Sequence, residues 1–125
     1  MGILNTTPDS FSDGGMYLDP QRAVDRAVAM IQAGADIIDV GGESTRPGSE
    51  SVSAKEQIRR TAPVIQALRR VSKIPISIDT TSAEVAERAL EVGASMVNDI
   101  SAFRFDSRMI QLLADSGFPA IAMHT

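Results

Sequence analysis

The sequence has no cysteine among its 125 residues. Disulfides, thiolate nucleophiles and cysteine-ligated zinc or iron–sulfur centres are therefore excluded. Histidine is nearly absent too: the single one, His124, disfavours a histidine-built metal site. Long apolar runs are missing, since the longest are four or five residues and a bilayer-crossing helix needs roughly 20. No basic-then-apolar N-terminal segment suggests export, so the cytoplasm is the default address. An excess of positive charge is also lacking, and a net charge of -4 opposes generic polyanion binding. An anionic ligand must then be held locally, by backbone N–H groups, a few arginines or a hard cation. What remains, 43% apolar and 22% charged residues, fits one globular domain and excludes a disordered chain.

Apolar periodicity switches repeatedly between short runs and amphipathic stretches, the pattern of alternating strands and helices. Gly2-Ile3-Leu4 reads as a first strand. Asp19-Pro20 supplies an N-cap and a proline at the first helical position. Val24, Ala27, Val28 and Ile31 then follow at helical spacing until Gly34. Asp36 to Val40 reads as the next strand, closed by Gly41-Gly42. Ser53 and Glu56 have capping-box spacing ahead of Ile58, Ile65 and Leu68, and Pro63 is expected to split that helix. Ile74 to Ile78 is a third strand. Thr81-Ser-Ala-Glu84 opens a helix that Gly93 stops, and Met96 to Ile100 is a fourth strand. A helix from about Ser107 ends at Gly117, and Ala120 to Met123 begins a fifth strand. Repeated strand-then-helix units demand a parallel sheet, either closed as a barrel or open and doubly wound.

Strand parity places the polar residues. Residues two apart share a face, so Ile3 lies under Asn5, Ile37 under Asp39, Ser77 under Asp79 and Met96 under Asn98. Taken singly, an Asp or Asn at a strand end reads equally as the first residue of a turn. Four in succession, with matching parity, point to one pocket beyond the carboxyl ends of the strands, where parallel α/β proteins place their ligands. Two carboxylates and two amides suit a flat, nitrogen-rich ring, because a carboxylate can accept two parallel N–H bonds.

Two loops add to this. Gly41-Gly-Glu-Ser-Thr-Arg-Pro-Gly48 reads either as a flexible turn or as a phosphate cradle in which backbone N–H groups, Ser44, Thr45 and Arg46 hold oxygens. Asn5 is placed to complete the coordination of a Mg²⁺ that takes its other ligands from water and phosphate. Thr7-Pro-Asp-Ser-Phe-Ser-Asp-Gly-Gly15 is a long link over the pocket mouth, read as a closing loop or as plain connection. Arg59, Arg60, Arg69 and Arg70 lie with Lys55 along one helix and are expected to form a solvated face.

The segments Met1-Gly-Ile-Leu-Asn-Thr-Thr-Pro-Asp-Ser-Phe-Ser-Asp-Gly-Gly15 and Ala35-Asp-Ile-Ile-Asp-Val-Gly-Gly-Glu-Ser-Thr-Arg-Pro-Gly48 resemble the two signatures of the dihydropteroate synthase family. Ile76-Ser-Ile-Asp-Thr80, Val97-Asn-Asp-Ile100 and Met123-His124 resemble that family's later strand ends, in order. The resemblance implies a (β/α)₈ TIM barrel of folate biosynthesis that joins 6-hydroxymethyl-7,8-dihydropterin diphosphate to 4-aminobenzoate and releases diphosphate. It further implies that Asp79 and Asn98 bind the pterin ring with Asp39 nearby, and that Thr45 and Asn5 serve the diphosphate and its Mg²⁺. Asp9, Phe11, Ser44, Arg46 and Pro47 match the mobile loops of the aminobenzoate pocket, where sulfonamides compete.

A barrel of this kind takes about 250 residues. The chain is therefore expected to be a partial pterin-binding domain over residues 1–125, the first four βα units and the start of a fifth strand, cut at both ends. A later aspartate and lysine for the pterin, an arginine and histidine for the diphosphate, and the homodimer surface would all lie outside it. Activity of this segment alone is not expected, nor is binding to nucleic acid or membrane. Two rival readings are a pterin-binding methyltransferase domain, which should lack the two loop motifs, and a non-catalytic fragment.

Overall fold

The computed structural model describes residues 2–5, 20–42, 53–99 and 106–122. They form five strands and four helices in strict alternation: β1 (Gly2–Asn5), α1 (Pro20–Gln32), β2 (Ile38–Gly41), α2 (Ala54–Val71), β3 (Ile76–Asp79), α3 (Ala83–Val92), β4 (Met96–Asp99), α4 (Arg108–Ser116) and β5 (Ala120–Ala122). The strands make one parallel sheet in the order β1-β2-β3-β4-β5. That order decides between the two architectures left open by the sequence. A doubly wound sheet reverses direction at a switch point, whereas a barrel adds each strand beside the one before it, as here.

Register explains where the core sits. Leu4, Val40, Ile78 and Val97 pair across four strands and are at most 1% exposed, so this row faces the helices. Ile38 and Ile76 form the row below it and are equally buried. Against them pack Val24 and Ala27 of α1, Ile65 and Leu68 of α2, Val85 and Ala89 of α3 and Met109 of α4. Burying a Leu or Ile side chain removes enough apolar area from water to contribute about 1.5–3 kcal/mol, and this layer contains most of the large buried side chains.

Helix boundaries follow their caps. The Ser53 hydroxyl accepts from Glu56 N at 3.2 Å, as the capping-box spacing predicts. Ser82, within the expected opening segment, caps α3, its side chain accepting from Val85 N. Gly93 and Gly117 end α3 and α4 at φ +130° and +72°, backbone angles that a Cβ would strain.

Pro63 does not split α2, which runs unbroken from Ala54 to Val71. The reason is its placement: Pro63, which has no N–H to give the Arg59 carbonyl one turn back, lies with Arg59 on the exposed side of the helix, where the loss of one backbone bond disturbs the packing least. Thr61, Ala62, Val64 and Ile65 on the other side stay buried, and their packing holds the helix together.

The arginines of α2 also depart from expectation. Arg59 is solvated and pairs with Glu56, but Arg60 and Arg69 turn inward. Arg60 donates to Gly42 O at 3.0 Å. Arg69 reaches Gly93 O with Nε at 3.0 Å and Nη2 at 2.7 Å, and Ile74 O with Nη1 at 2.8 Å. Uncapped carbonyls at helix and strand ends need donors, and a five-donor fork on the neighbouring helix supplies them.

Candidate functional site

The face of the sheet opposite the helix layer carries two register rows. The lower row is Ile3, Asp39, Ser77 and Met96; the upper row is Asn5, Gly41, Asp79 and Asn98. Asp39, Asp79 and Asn98 thus share one face near the carboxyl ends of their strands, and Asn5 closes β1 in the upper row. Asp39 is the exception in level. Because β2 continues through Gly41, Asp39 sits two residues below the strand end, beneath Asp79 and Asn98 rather than beside them.

Asp39 is 4% exposed and Asn98 8%, so this is a dry cluster. The Ser77 hydroxyl donates to Asp39 Oδ1 at 2.5 Å. Asn98 Nδ2 approaches the same oxygen at 3.5 Å, at the long limit of a hydrogen bond. Burial pushes the Asp39 carboxyl above its usual range, while the hydrogen bonds from Ser77 and Asn98 pull it back down. Asn98 Oδ1 is buried with no hydrogen-bond partner among the described residues. A buried acceptor without a donor costs on the order of 1–3 kcal/mol, a cost that a ligand N–H can recover.

Two further residues shape this region. Ser77 lies beneath Asp79 with its side chain fully buried, and a serine set between Ile76 and Ile78 in an otherwise apolar strand is the signal that the sequence offers for it. Gly41 ends β2, as expected of the residue that opens the 41–48 loop, and lies in the upper row beside Asp79. A Cβ there would stand 3.4 Å from Asp79 Cβ and 3.5 Å from Oδ2, so the missing side chain leaves open the space next to that carboxylate.

The chain then leaves the sheet under tight control. A Cβ on Gly42 would come within 2.9 Å of Thr61 Cγ2 and 3.1 Å of Gln57 O. Arg60 holds the Gly42 carbonyl, and Thr80 Oγ1 donates to Gln57 Oε1 at 3.3 Å. The start of the 41–48 loop is therefore anchored to α2. Asp9, Phe11, Ser44, Thr45, Arg46, Pro47 and His124 lie outside the described residues. Away from the strand ends, a groove of about 750 Å³ between α3 and α4 lies on the outer helix layer and includes none of the polar residues of the two rows.

The family profile described as "Pterin binding enzyme" matches residues 1–125, and the chain belongs to that family. It is 58% identical over 124 residues to a protein from Synechocystis sp. named dihydropteroate synthase, covering 99% of this chain and 43% of that protein. Among solved structures, dihydropteroate synthase from Clostridium difficile in the presence of pteroic acid superposes with a TM-score of 0.93 at 48% identity, covering all of this chain and 48% of that one. Xanthomonas albilineans dihydropteroate synthase with 4-aminobenzoic acid gives 0.92 at 43% identity, covering all of this chain and 45% of that one. The chain thus spans less than half the length of the relatives it matches, and its fold is half of a (β/α)₈ barrel.

Proposed function

We propose that this chain carries part of the active site of a dihydropteroate synthase, joining 6-hydroxymethyl-7,8-dihydropterin diphosphate to 4-aminobenzoate. The observation that carries the reading is the gathering of Asp39, Asp79 and Asn98 on one sheet face, with Gly41 leaving room beside Asp79. The Asp79 carboxylate accepts ring N–H groups and the Asn98 amide oxygen accepts another, with Asp39 nearby behind them, so the set matches the hydrogen-bonding edge of a pterin.

The chemistry asks little else of these residues. The bond between the pterin methylene carbon and the diphosphate oxygen breaks, and both electrons leave with diphosphate. Positive charge develops on the methylene, the 4-aminobenzoate nitrogen forms the new C–N bond, and that nitrogen loses a proton. A fixed carboxylate set around the ring stabilises the developing cation, and no protein nucleophile takes part. Thr45 and Asn5 are assigned to the diphosphate. Asp9, Phe11, Ser44, Arg46 and Pro47 are assigned to the aminobenzoate pocket, where a sulfonamide would compete.

Among the described residues no three His, Cys, Asp or Glu side chains form a metal-holding group. They do not fit a cation caged by protein. Mg²⁺ enters the proposal as the companion of the diphosphate, with Asn5 as a candidate protein ligand. The cytoplasm and a homodimer formed through other parts of the protein complete the proposal.

The test is an assay of the complete protein that carries this chain, following diphosphate release in the presence of each substrate alone and of both together. Release that requires both, with 7,8-dihydropteroate as product, is expected. Pterin binding without product would favour a binding module or a methyltransferase domain, and absence of both would remove the proposal.

A further inference from the structure

Ser77 stands beside Asp39 in the register of β2 and β3, is fully buried, and donates a hydrogen bond from its hydroxyl to Asp39 Oδ1. The same oxygen receives Asn98 Nδ2. A carboxylate offers only acceptors, so it selects one of the two orientations of an asparagine amide: nitrogen toward the carboxylate, oxygen away. Asn98 Oδ1 is the atom left over, buried and without a partner among the described residues. Without a fixed carboxylate beside it, the amide could turn over at little cost and present its nitrogen instead.

We propose that Ser77 is a positioning residue of the pterin site: it fixes the Asp39 carboxylate, which sets the Asn98 amide so that its carbonyl oxygen is offered to the ligand. This assignment rests on the pterin-binding reading above. It explains why a buried strand position inside a sheet otherwise rich in Ile and Val carries a hydroxyl. It also predicts that Ser77 acts on the ligand only through Asn98, never by contact.

The test is a double-mutant cycle in the complete synthase, with pteroic acid as the titrant in calorimetry. Ser77→Ala should weaken binding about tenfold, the loss of roughly one hydrogen bond. In an Asn98→Ala background the same change should weaken it less than about twofold, because coupled residues are not additive. The KM for the pterin diphosphate should rise while that for 4-aminobenzoate stays put. Equal weakening in both backgrounds, or none in either, overturns the assignment. If Ser77→Ala does not fold, as judged by its thermal melt, Ser77→Cys, which conserves volume with a weaker donor, is run through the same cycle and decides by the same criteria. A wild-type protein that ignores pteroic acid defeats the pterin reading and this assignment together; one that binds while the cycle is additive defeats the assignment alone.

Discussion

Replacing Arg69 by Ala should destabilise the complete protein far more than loss of a surface charge would. The guanidinium spans three segments: the carbonyls of Ser72 and Ile74 leading into β3, the carbonyl of Gly93 ending α3, and Ser95 Oγ ahead of β4. Its stem lies on Gly93, where a Cβ would meet Arg69 Cγ at 3.1 Å, so apolar packing is lost with the charge. Hydrogen bonds to a charged donor contribute about 1.5–3 kcal/mol each. The site is only partly buried, and freed carbonyls regain some water. We therefore expect a loss of about 3 kcal/mol, corresponding to a Tm lower by about 6–12 °C in a chain of 150–250 residues. Arg69→Lys should recover less than half of it, because one ammonium cannot serve Gly93 O and Ile74 O with the geometry of a planar fork. Urea unfolding with unchanged slope and a shifted midpoint is the measurement. A loss below about 0.5 kcal/mol, the range of ordinary surface substitutions, would refute the view that this arginine holds β3 and β4 in place.

Three further outcomes follow from the same structure. Asp79→Ala in the complete synthase should weaken pteroic acid binding about a hundredfold, from the loss of one or two charge-assisted hydrogen bonds, and near-normal affinity in a calorimetric titration would remove Asp79 from the ring site. The Arg108 guanidinium donates to Asp106, and with the backbone N–H groups of Ala83 and Arg108 donating as well the Asp106 carboxyl is held down to about 2. Its folded value lies below the unfolded one, so its contribution is present above the ordinary Asp value of 3.8 and is lost as pH falls toward 2. Asp106→Asn should flatten the pH dependence of stability in that window, and an unchanged acid titration would argue against the link. Finally, a polypeptide of these 125 residues alone has β1 and β5 as open sheet edges and leaves Ile3 69% exposed on the inner face. It should aggregate or melt without cooperativity, and a sharp calorimetric transition would contradict this.

The sequence alone determined the alternation of elements, most helix ends and the parity of the strands. These are local matters: side-chain period, the hydrogen bonds of Ser53 and Ser82 to nearby backbone, and the positive φ that glycine adopts without strain at Gly34, Gly93 and Gly117. Asn5, Asp39, Asp79 and Asn98 could be placed on one face for the same reason. Tertiary structure decided what depends on neighbours distant in the chain. Whether Pro63 breaks α2 turns on which side of that helix is buried; whether Arg60 and Arg69 meet water turns on carbonyls 18 and 24 residues away. The level of Asp39 within the sheet, and its capture by Ser77 and Asn98 from 38 and 59 residues along the chain, depend on strand register. Register is set by how whole strands pack, and no local pattern contains it.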